Sequence, residues 1–292
     1  MKHVHAILLA VTAATAAFMT TSCSPDDPRT ELQNAHKLML QKHFAEALPK
    51  TASCLSLDSQ NADAIIANAL CVYNMSPKDP DACKNARLNL ARAVTTVARD
   101  RFDAHYTYTW LLMQDEDFDN ALGAAYRARD LFRRQHNPPI PTSATCDLED
   151  LNLAKTSMPY ANLILMIADI CRHNSLDEGL PYFRVALNLK IFAAMPEVHL
   201  AYSQLLLERQ RTREAYTVIR NATFAFPEDL ACAYNYAVID EIRRRGMKLP
   251  PELHRKLIHK YDRALTFAHR YGNTELVRRI SQKIAALRKQ QP

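Results

Sequence analysis

Four stretches of the sequence repeat one spacing of small and bulky residues, and this repetition limits the fold more than any other feature. They are HFAEALPKTASCLSLDSQNADA from His43, DFDNALGAAYRARDLF from Asp117, SLDEGLPYFRVALNLK from Ser175 and TREAYTVIRNATFAFPEDLA from Thr212. Two small residues recur in each: Ala47 and Cys54, Ala121 and Ala128, Gly179 and Ala186, and Ala215 and Ala222. Members of each pair share one helix face, because about 3.6 residues make a turn. Small side chains on that face let two helices approach closely, so the copies predict a series of helical hairpins.

Glycine is rare, and its scarcity excludes several function classes. The chain of 292 residues has four glycines, and they stand apart from one another. A glycine-rich phosphate loop, a dinucleotide-binding fingerprint and a nucleophile elbow all need glycines close together. Apolar residues instead recur at intervals of three and four almost throughout, which is typical of amphipathic helices. The sequence therefore predicts an all-α fold.

The repeated stretches resemble the second helix of tetratricopeptide repeats, which recur about every 34 residues. Looser copies contain Ala86, Leu90 and Ala93, and Leu257, Tyr261 and Ala264. Predicted first helices precede the six copies: Thr30–Gln41, Ala62–Asn74, Phe102–Gln114, Tyr160–Arg172, Glu197–Arg209 and Leu230–Ile242. The resemblance implies a right-handed α-solenoid of about six hairpins with a capping helix at its end.

The first residues are typical of an exported protein. Lys2 precedes an apolar run from Ala6 to Met19, which is too short to cross a bilayer and indicates a signal peptide. The following TTSC resembles the lipobox of bacterial lipoproteins, which implies cleavage before Cys23 and lipid on that cysteine. The alternative is an ordinary secreted protein cut near Ser22. Ser24, rather than Asp, favours the outer membrane by the same resemblance, on its periplasmic face.

These features predict a domain organisation in six parts. They are a signal peptide (1–22), a tether (23–29), repeats one to three (30–135), a proline-rich insert (136–159), repeats four to six (160–271) and a capping helix (272–292). The insert contains three prolines within four positions, which forbid a continuous helix. We expect a loop followed by a short helix over Leu148–Leu153. The insert is either a tolerated insertion, which we favour, or a flap that binds a partner.

The family resemblance also implies a concave binding groove formed by the first helices. Its inward positions include a predicted partner-binding set: Tyr73, Tyr106, Trp110, Met113, Leu207 and Tyr234. Aromatic side chains are enriched at interface hot spots, and Trp110 is the chain's sole tryptophan. The alternative is that the aromatic residues pack between helices as part of the core.

A second candidate surface is basic and lies near the C-terminus. Residues 241–292 contain fourteen Lys or Arg against four Asp or Glu. The predicted basic surface comprises Arg243, Arg244, Arg245, Lys248, Arg255, Lys256, Arg278 and Arg279. It suits an anionic lipid, an anionic envelope polymer or an acidic protein, or it is a solvated face that confers solubility. Nucleic acid is not expected, because an exported protein seldom meets it.

The cysteine count bears on disulfides, and the histidine and carboxylate spacing bears on catalytic and metal sites. Lipidation of Cys23 would leave six further cysteines, an even number in an oxidising compartment. The candidate disulfides are Cys71 with Cys83 and Cys146 with Cys171. The alternative is that cysteines serve as small apolar residues, as the apolar helix positions of Cys54, Cys171 and Cys232 indicate. The histidines and carboxylates form no recognisable catalytic or zinc-binding pattern. We therefore expect no catalytic residues, no metal and no cofactor.

The resemblance to tetratricopeptide repeats and to bacterial lipoproteins implies a scaffold or adaptor of the bacterial envelope. The resemblance extends to lipoproteins such as the six-repeat pilotins and the adaptors of peptidoglycan hydrolases, which hold a partner protein at a membrane. The alternative is a lipoprotein that binds a small ligand or a polymer through its groove and its basic end.

Overall fold

The chain is all-α in the computed structural model, which describes residues 27–75, 79–136, 139–140, 146–247 and 249–289. Within these ranges the backbone forms fifteen helices and no strand, as the sequence predicts. The predicted signal peptide, Cys23 and the first part of the tether lie outside the described residues.

The chain divides into two compact units, one ending at Asn174 and one beginning at Ser175. The first unit contains α1 (Pro28–Leu40), α2 (Phe44–Leu57), α3 (Ala62–Met75), α4 (Pro80–Ala93), α5 (Phe102–Gln114), α6 (Phe118–Gln135), α7 (Leu148–Thr156) and α8 (Met158–His173). The second contains α9 (Gly179–Leu187), α10 (Lys190–Ala193), α11 (Pro196–Glu208), α12 (Thr212–Ala225), α13 (Leu230–Arg244), α14 (Pro251–Arg270) and α15 (Thr274–Lys289). The division falls after the first helix of the predicted fourth repeat, and the finer domain boundaries stay predictions.

Within each unit the helices pack as consecutive hairpins. In the first unit α1 packs on α2, α3 on α4 and α5 on α6, and in the second α11 packs on α12 and α13 on α14. The first helices of neighbouring hairpins also contact each other, as α1 does with α3, α3 with α5, and α11 with α13. Each hairpin thus buries its apolar face against its neighbours, which is the packing of an α-solenoid.

The small residues of the repeated pattern lie where the hairpins pack together. Seven of them have no exposed surface: Ala47, Cys54, Ala121, Ala128, Ala186, Ala215 and Ala222. Their position agrees with the sequence argument that small side chains permit close helix pairing. A larger side chain at any of these positions would force the helices apart.

Several turns between consecutive helices share a left-handed backbone residue. Lys42, Glu116 and Gln210 have φ of 63°, 59° and 58°, and Gly272 has φ of 65°. Each of these residues lies two positions after the last residue of a helix. A left-handed residue at this position ends helices in many proteins, and glycine adopts the conformation with least strain. The repetition of the fold therefore extends to the backbone geometry of its turns.

The end of the predicted insert is bound into the first unit by a buried polar network. The Arg133 guanidinium contacts Asp147 Oδ1 through Nη2 at 2.6 Å and Asp150 Oδ1 through Nε at 3.1 Å. The Tyr160 hydroxyl donates to Asp150 Oδ1 at 2.5 Å. Asp147 and Asp150 also form the capping box that begins α7. The predicted short helix is thus confirmed, and these contacts join it to α6 and α8.

The final helix, α15, covers the apolar face of α14 in the second unit. Ile280, Ile284 and Leu287 of α15 are buried in one cluster with Leu257 and Tyr261. This packing agrees with the amphipathic pattern of the predicted capping helix.

The same helix is also anchored by a buried histidine. His254 Nε2 lies 2.6 Å from the backbone oxygen of Leu287, and the His254 side chain is buried. The contact joins the start of α14 to the end of α15.

Candidate functional site

The aromatic residues of the predicted groove belong to the core of the first unit. Tyr73, Tyr106 and Trp110 are buried, and Trp110 has 3% of its surface exposed. The Tyr73 and Trp110 ring centroids lie 5.9 Å apart, and the Tyr73 hydroxyl donates to Asp115 Oδ2 at 2.9 Å. The prediction that these three side chains line an accessible groove is therefore corrected. Because first helices α3 and α5 pack on each other, the Tyr73 and Trp110 rings lie between them. The Tyr106 hydroxyl instead hydrogen-bonds to Asn162 of α8.

The other three residues of the predicted set retain accessible surface. Met113 is half-buried near the end of α5, and Leu207 and Tyr234 are half-buried on α11 and α13. Met113 belongs to the first unit, and Leu207 and Tyr234 belong to the second. A binding role for these three residues stays a prediction.

The candidate disulfides are absent from the described residues. Cys71, Cys83, Cys146 and Cys171 are all thiols, as are Cys54 and Cys232. Five of the six thiols are buried, and Cys146 is half-buried. The predicted pairing is corrected accordingly: Cys71, Cys83 and Cys171 lie on buried helix faces where a small side chain fits, and Cys146 precedes α7. Burial raises the pKa of the Cys71 thiol to about 12, which keeps it protonated and unreactive near neutral pH.

The predicted basic surface separates into different places in the second unit. Arg243 and Arg244 end α13, Arg245 follows it, Arg255 and Lys256 begin α14, and Arg278 and Arg279 lie on α15. Lys248 lies outside the described residues. Three members of this surface, Arg244, Arg255 and Lys256, border one cavity.

This cavity, which we call the basic cavity, is lined by residues of α12, α13 and α14 and has a volume of about 630 Å³. Its basic residues are Arg244, Arg255, Lys256, His259, Lys260 and Arg263. Tyr216 and Tyr236 contribute aromatic surface, and Glu252 is the single carboxylate in the lining. The cavity therefore combines an aromatic wall with a cationic rim.

A buried carboxylate organises the cations at the inner wall of the basic cavity. Asp240 is fully buried and accepts hydrogen bonds from Arg243 Nη2 at 2.8 Å, Arg244 Nε at 2.8 Å and Lys260 Nζ at 2.7 Å. Burial disfavours the charged form of Asp240, but these bonds outweigh it and hold the pKa of the carboxyl below its ordinary value. Burial likewise opposes the charge of Lys260, and its bond to Asp240 raises the pKa of the ammonium nonetheless.

Two tyrosines hold the Lys260 ammonium from the side of α12 and α13. The Tyr216 and Tyr236 hydroxyls lie 3.0 Å apart, and Lys260 Nζ donates to Tyr216 at 3.2 Å. Lys260 Nζ also lies 3.7 Å from the Tyr236 ring centroid, and the Arg243 guanidinium lies 4.0 Å from the Tyr216 ring centroid. These cation–π contacts fix the positions of both cations. The inner part of the basic cavity is therefore preorganised.

Several residues of the basic cavity lie outside the predicted basic surface. Lys260, His259 and Arg263 follow Arg255 and Lys256 along α14. The signal was present as spacing, because positions three and four apart share a helix face. Tyr216, Tyr236 and Asp240 carried no such signal, since only the packing of α12, α13 and α14 brings them together.

In the described parts of the chain, no group of three or more His, Cys, Asp or Glu is arranged to hold a metal ion. Across the same residues, no helix combines the length and the apolar character needed to span a bilayer.

Among solved structures, the chain is similar to YrrB, described as "a TPR protein with an unusual peptide-binding site". The TM-score is 0.55 at 13% identity, over 80% of this chain and 97% of that one. It also matches pilF of Pseudomonas aeruginosa with a TM-score of 0.46 at 13% identity, over 89% of this chain and 91% of that one. No family model matches the chain, and no curated protein matches its sequence. The likeness to YrrB shows the fold, which is that of tetratricopeptide-repeat proteins.

Proposed function

We propose that the chain is a scaffold or adaptor that binds a segment of a partner protein in the bacterial envelope. The observation that carries this proposal is the tetratricopeptide fold, shared with a protein described as having a peptide-binding site. Stacked hairpins present extended surfaces of regularly spaced side chains, which suit a bound peptide or helix.

Lipid on Cys23 would make this scaffold a tether. A chain confined to a membrane surface holds a bound partner at a high effective concentration, so that even a weak contact is maintained. The lipobox-like TTSC supports the lipid, and Ser24 supports the outer membrane.

The scaffold proposal is tested by purifying the tagged full chain from detergent-solubilised envelopes. We expect one protein at a constant ratio to the chain, and that protein, once purified, should bind the chain directly and saturably. If no protein copurifies at a constant ratio, the scaffold proposal is wrong.

The tether is tested separately with Cys23→Ser. We expect wild type to incorporate labelled palmitate and to remain with membranes after a salt wash, whereas the variant is released. Stable anchoring needs more than one acyl chain, and the lipoproteins that the sequence resembles carry three. An unlabelled wild type, or a variant that stays in the membrane, would rule out the lipid anchor.

The basic cavity favours a second candidate function, which is binding of a small anionic ligand or an anionic polymer. Its volume of about 630 Å³ is within the range of small-molecule sites. Native mass spectrometry of the purified chain distinguishes the two functions. A small anion that remains bound would favour the second candidate.

A further inference from the structure

The first unit contains a cavity between corresponding helices, and its lining shows whether the fold by itself requires basic residues there. A cavity of about 560 Å³ is lined by residues of α2, α3 and α4, which are a second helix, the next first helix and the next second helix. The basic cavity is lined by the corresponding helices α12, α13 and α14. Arg92 is the single charged residue lining the first cavity. The fold therefore forms such a cavity without a cationic rim.

The cationic rim acts against the stability of α14. Among its charged residues, Lys256 and Lys260 are four positions apart, and Lys260 and Arg263 are three apart. Like charges at this spacing repel each other on a helix. Asp240 neutralises part of the charge at Lys260, and the exposed Glu252 pairs with Lys256 at 2.8 Å.

Arg255 and Arg263 are the rim residues best placed to meet a ligand. Both are exposed, and no carboxylate of the described residues forms a salt bridge with either. Arg263 donates to the backbone carbonyl of Pro227, which uses one of the five N–H groups of a guanidinium. Arg263 also lies over the Phe267 ring, 5.7 Å from its centroid, and Arg255 is near Glu252. Neither guanidinium forms an ion pair with these neighbours, so both can pair with an acidic partner.

The spacing of the cations identifies the shape of that partner. Arg255 and Arg263 are eight positions apart, which is about 12 Å along a helix, and His259, whose imidazole N–H can donate a hydrogen bond, lies about 6 Å from each. In an extended peptide, side chains at alternate positions point the same way and are about 6.6 Å apart. Carboxylates at alternate positions of an extended segment therefore match the turns of α14, whereas a single phosphate would engage only one turn.

We propose that the basic cavity binds an extended acidic segment of a partner protein, with carboxylates at alternate positions. This inference rests on the proposed scaffold function and assigns its site to α12, α13 and α14. The segment's backbone would lie against Tyr216 and Tyr236, and its carboxylates would face Arg255, His259 and Arg263. Lys260, whose side chain is 16% exposed, is held at the inner wall by Asp240.

The site is distinct from the predicted groove of first-helix residues. On α13, Tyr236 and Arg244 line the basic cavity, whereas Tyr234 was predicted to face the groove. Two positions on a helix differ by about 200° in direction, so Tyr234 points to the opposite side of α13. The proposed segment therefore binds on the side formed by second helices.

The test measures binding of fluorescent peptides to the detergent-solubilised full chain by anisotropy at physiological ionic strength. One peptide alternates Glu with Ser, a second alternates Gln with Ser, and a third has the same number of Glu in one block. We expect the alternating Glu peptide to bind most tightly and the Gln peptide not to bind. Equal affinity for the alternating and block peptides would overturn the proposed spacing.

Two paired variants separate the site from overall charge. R255Q/R263Q removes two rim cations, and R278Q/R279Q removes two exposed cations of α15. We expect R255Q/R263Q to lower the affinity for the alternating Glu peptide by about tenfold, because charge-assisted hydrogen bonds are lost. We expect R278Q/R279Q to have little effect on that affinity. Unchanged helicity by circular dichroism shows that both variants fold. Equal losses in the two variants would overturn the assignment of the site.

Two further probes distinguish other ligands. If orthophosphate displaces the peptide at equal concentration, the site binds small anions and the proposal is wrong. If only vesicles containing phosphatidylglycerol bind in a way that requires Arg255 and Arg263, the ligand is a membrane and the proposal is again wrong. A copurified partner that binds R255Q/R263Q as well as wild type would overturn this inference and leave the scaffold function standing.

Discussion

Trp110 is expected to act as a structural residue of the first unit. Replacing it with Ala should lower the free energy of unfolding by about 3–5 kcal/mol, because the truncation removes buried contacts with Tyr73 and leaves a cavity. Emission of this sole tryptophan should be blue-shifted and resistant to iodide in wild type. Met113→Ala, on the same helix but half-buried, is the control and should lower the free energy of unfolding by less. A quenchable Trp110 with an unaffected melting temperature would contradict its burial.

Asp240 is expected to be the most sensitive ionisable residue of the second unit. Asp240→Asn should destabilise the chain by about 3 kcal/mol at neutral pH, because Arg243, Arg244 and Lys260 lose their buried counter-ion. The control is Glu275→Gln, which breaks an exposed pair with Arg279 and should cost under about 1 kcal/mol. Urea unfolding of both variants measures the difference.

The same residue predicts a dependence on pH. The folded pKa of Asp240 is depressed, so its stabilisation is present above the unfolded pKa and is lost as pH falls through the folded pKa. The difference between wild type and Asp240→Asn should therefore shrink in acid, below about pH 4. A difference that stays constant from neutral pH into acid would show that the ion pairs do not stabilise the fold.

The turns provide a prediction for the helical elements. Glu116 ends the turn after α5 with φ of 59°, a conformation that strains a residue with a Cβ. Glu116→Gly should raise the free energy of unfolding by up to about 1 kcal/mol. The backbone strain that it relieves in the folded chain should exceed the entropic cost of a more flexible unfolded chain.

The matched change in the opposite direction is Gly272→Ala, at φ of 65° between α14 and α15. It should destabilise by about 1 kcal/mol, although a Cβ there would meet no atom within 4 Å. Thermal unfolding of the two variants should show shifts of opposite sign. Shifts of the same sign would mean that the side chain, and not the backbone conformation, controls these turns.

For the molecule as a whole, α15 is expected to protect the end of the repeat array. Deletion of residues 273–292 should expose Leu257 and Tyr261 together with the rest of the apolar cluster on α14. A repeat array without its polar-backed final helix tends to aggregate or to fray from that end. Size-exclusion chromatography should therefore show oligomers, and hydrogen exchange should accelerate first in α14. A monomeric deletion variant with unchanged protection would contradict the capping role.

The all-α class, the hairpin order and most helix limits follow from local features of the sequence. The predicted Phe102–Gln114 coincides with α5, and the prediction for α13 began correctly at Leu230. Small residues seven positions apart, and apolar residues at intervals of three and four, carry this information because both report the side of a helix that is buried. The same local character explains why the short helix in the insert and the final amphipathic helix were predicted.

Tertiary packing decided which residues face a partner and which form the core. A tyrosine or tryptophan has the same periodicity in either role, so the sequence left the assignment of Tyr73, Tyr106 and Trp110 open. The packing of α5 against its neighbouring helices buried them. Whether Cys71 and Cys146 form disulfides or remain thiols was likewise decided by tertiary packing. The basic cavity combines Tyr216, Asp240 and Lys260 from three helices, and long-range contacts of this kind leave no local pattern. The sequence alone therefore determined the repeats and the excess of basic charge near the C-terminus. Only the tertiary structure placed part of that charge around a cavity, because residues distant along the chain meet only when the helices pack.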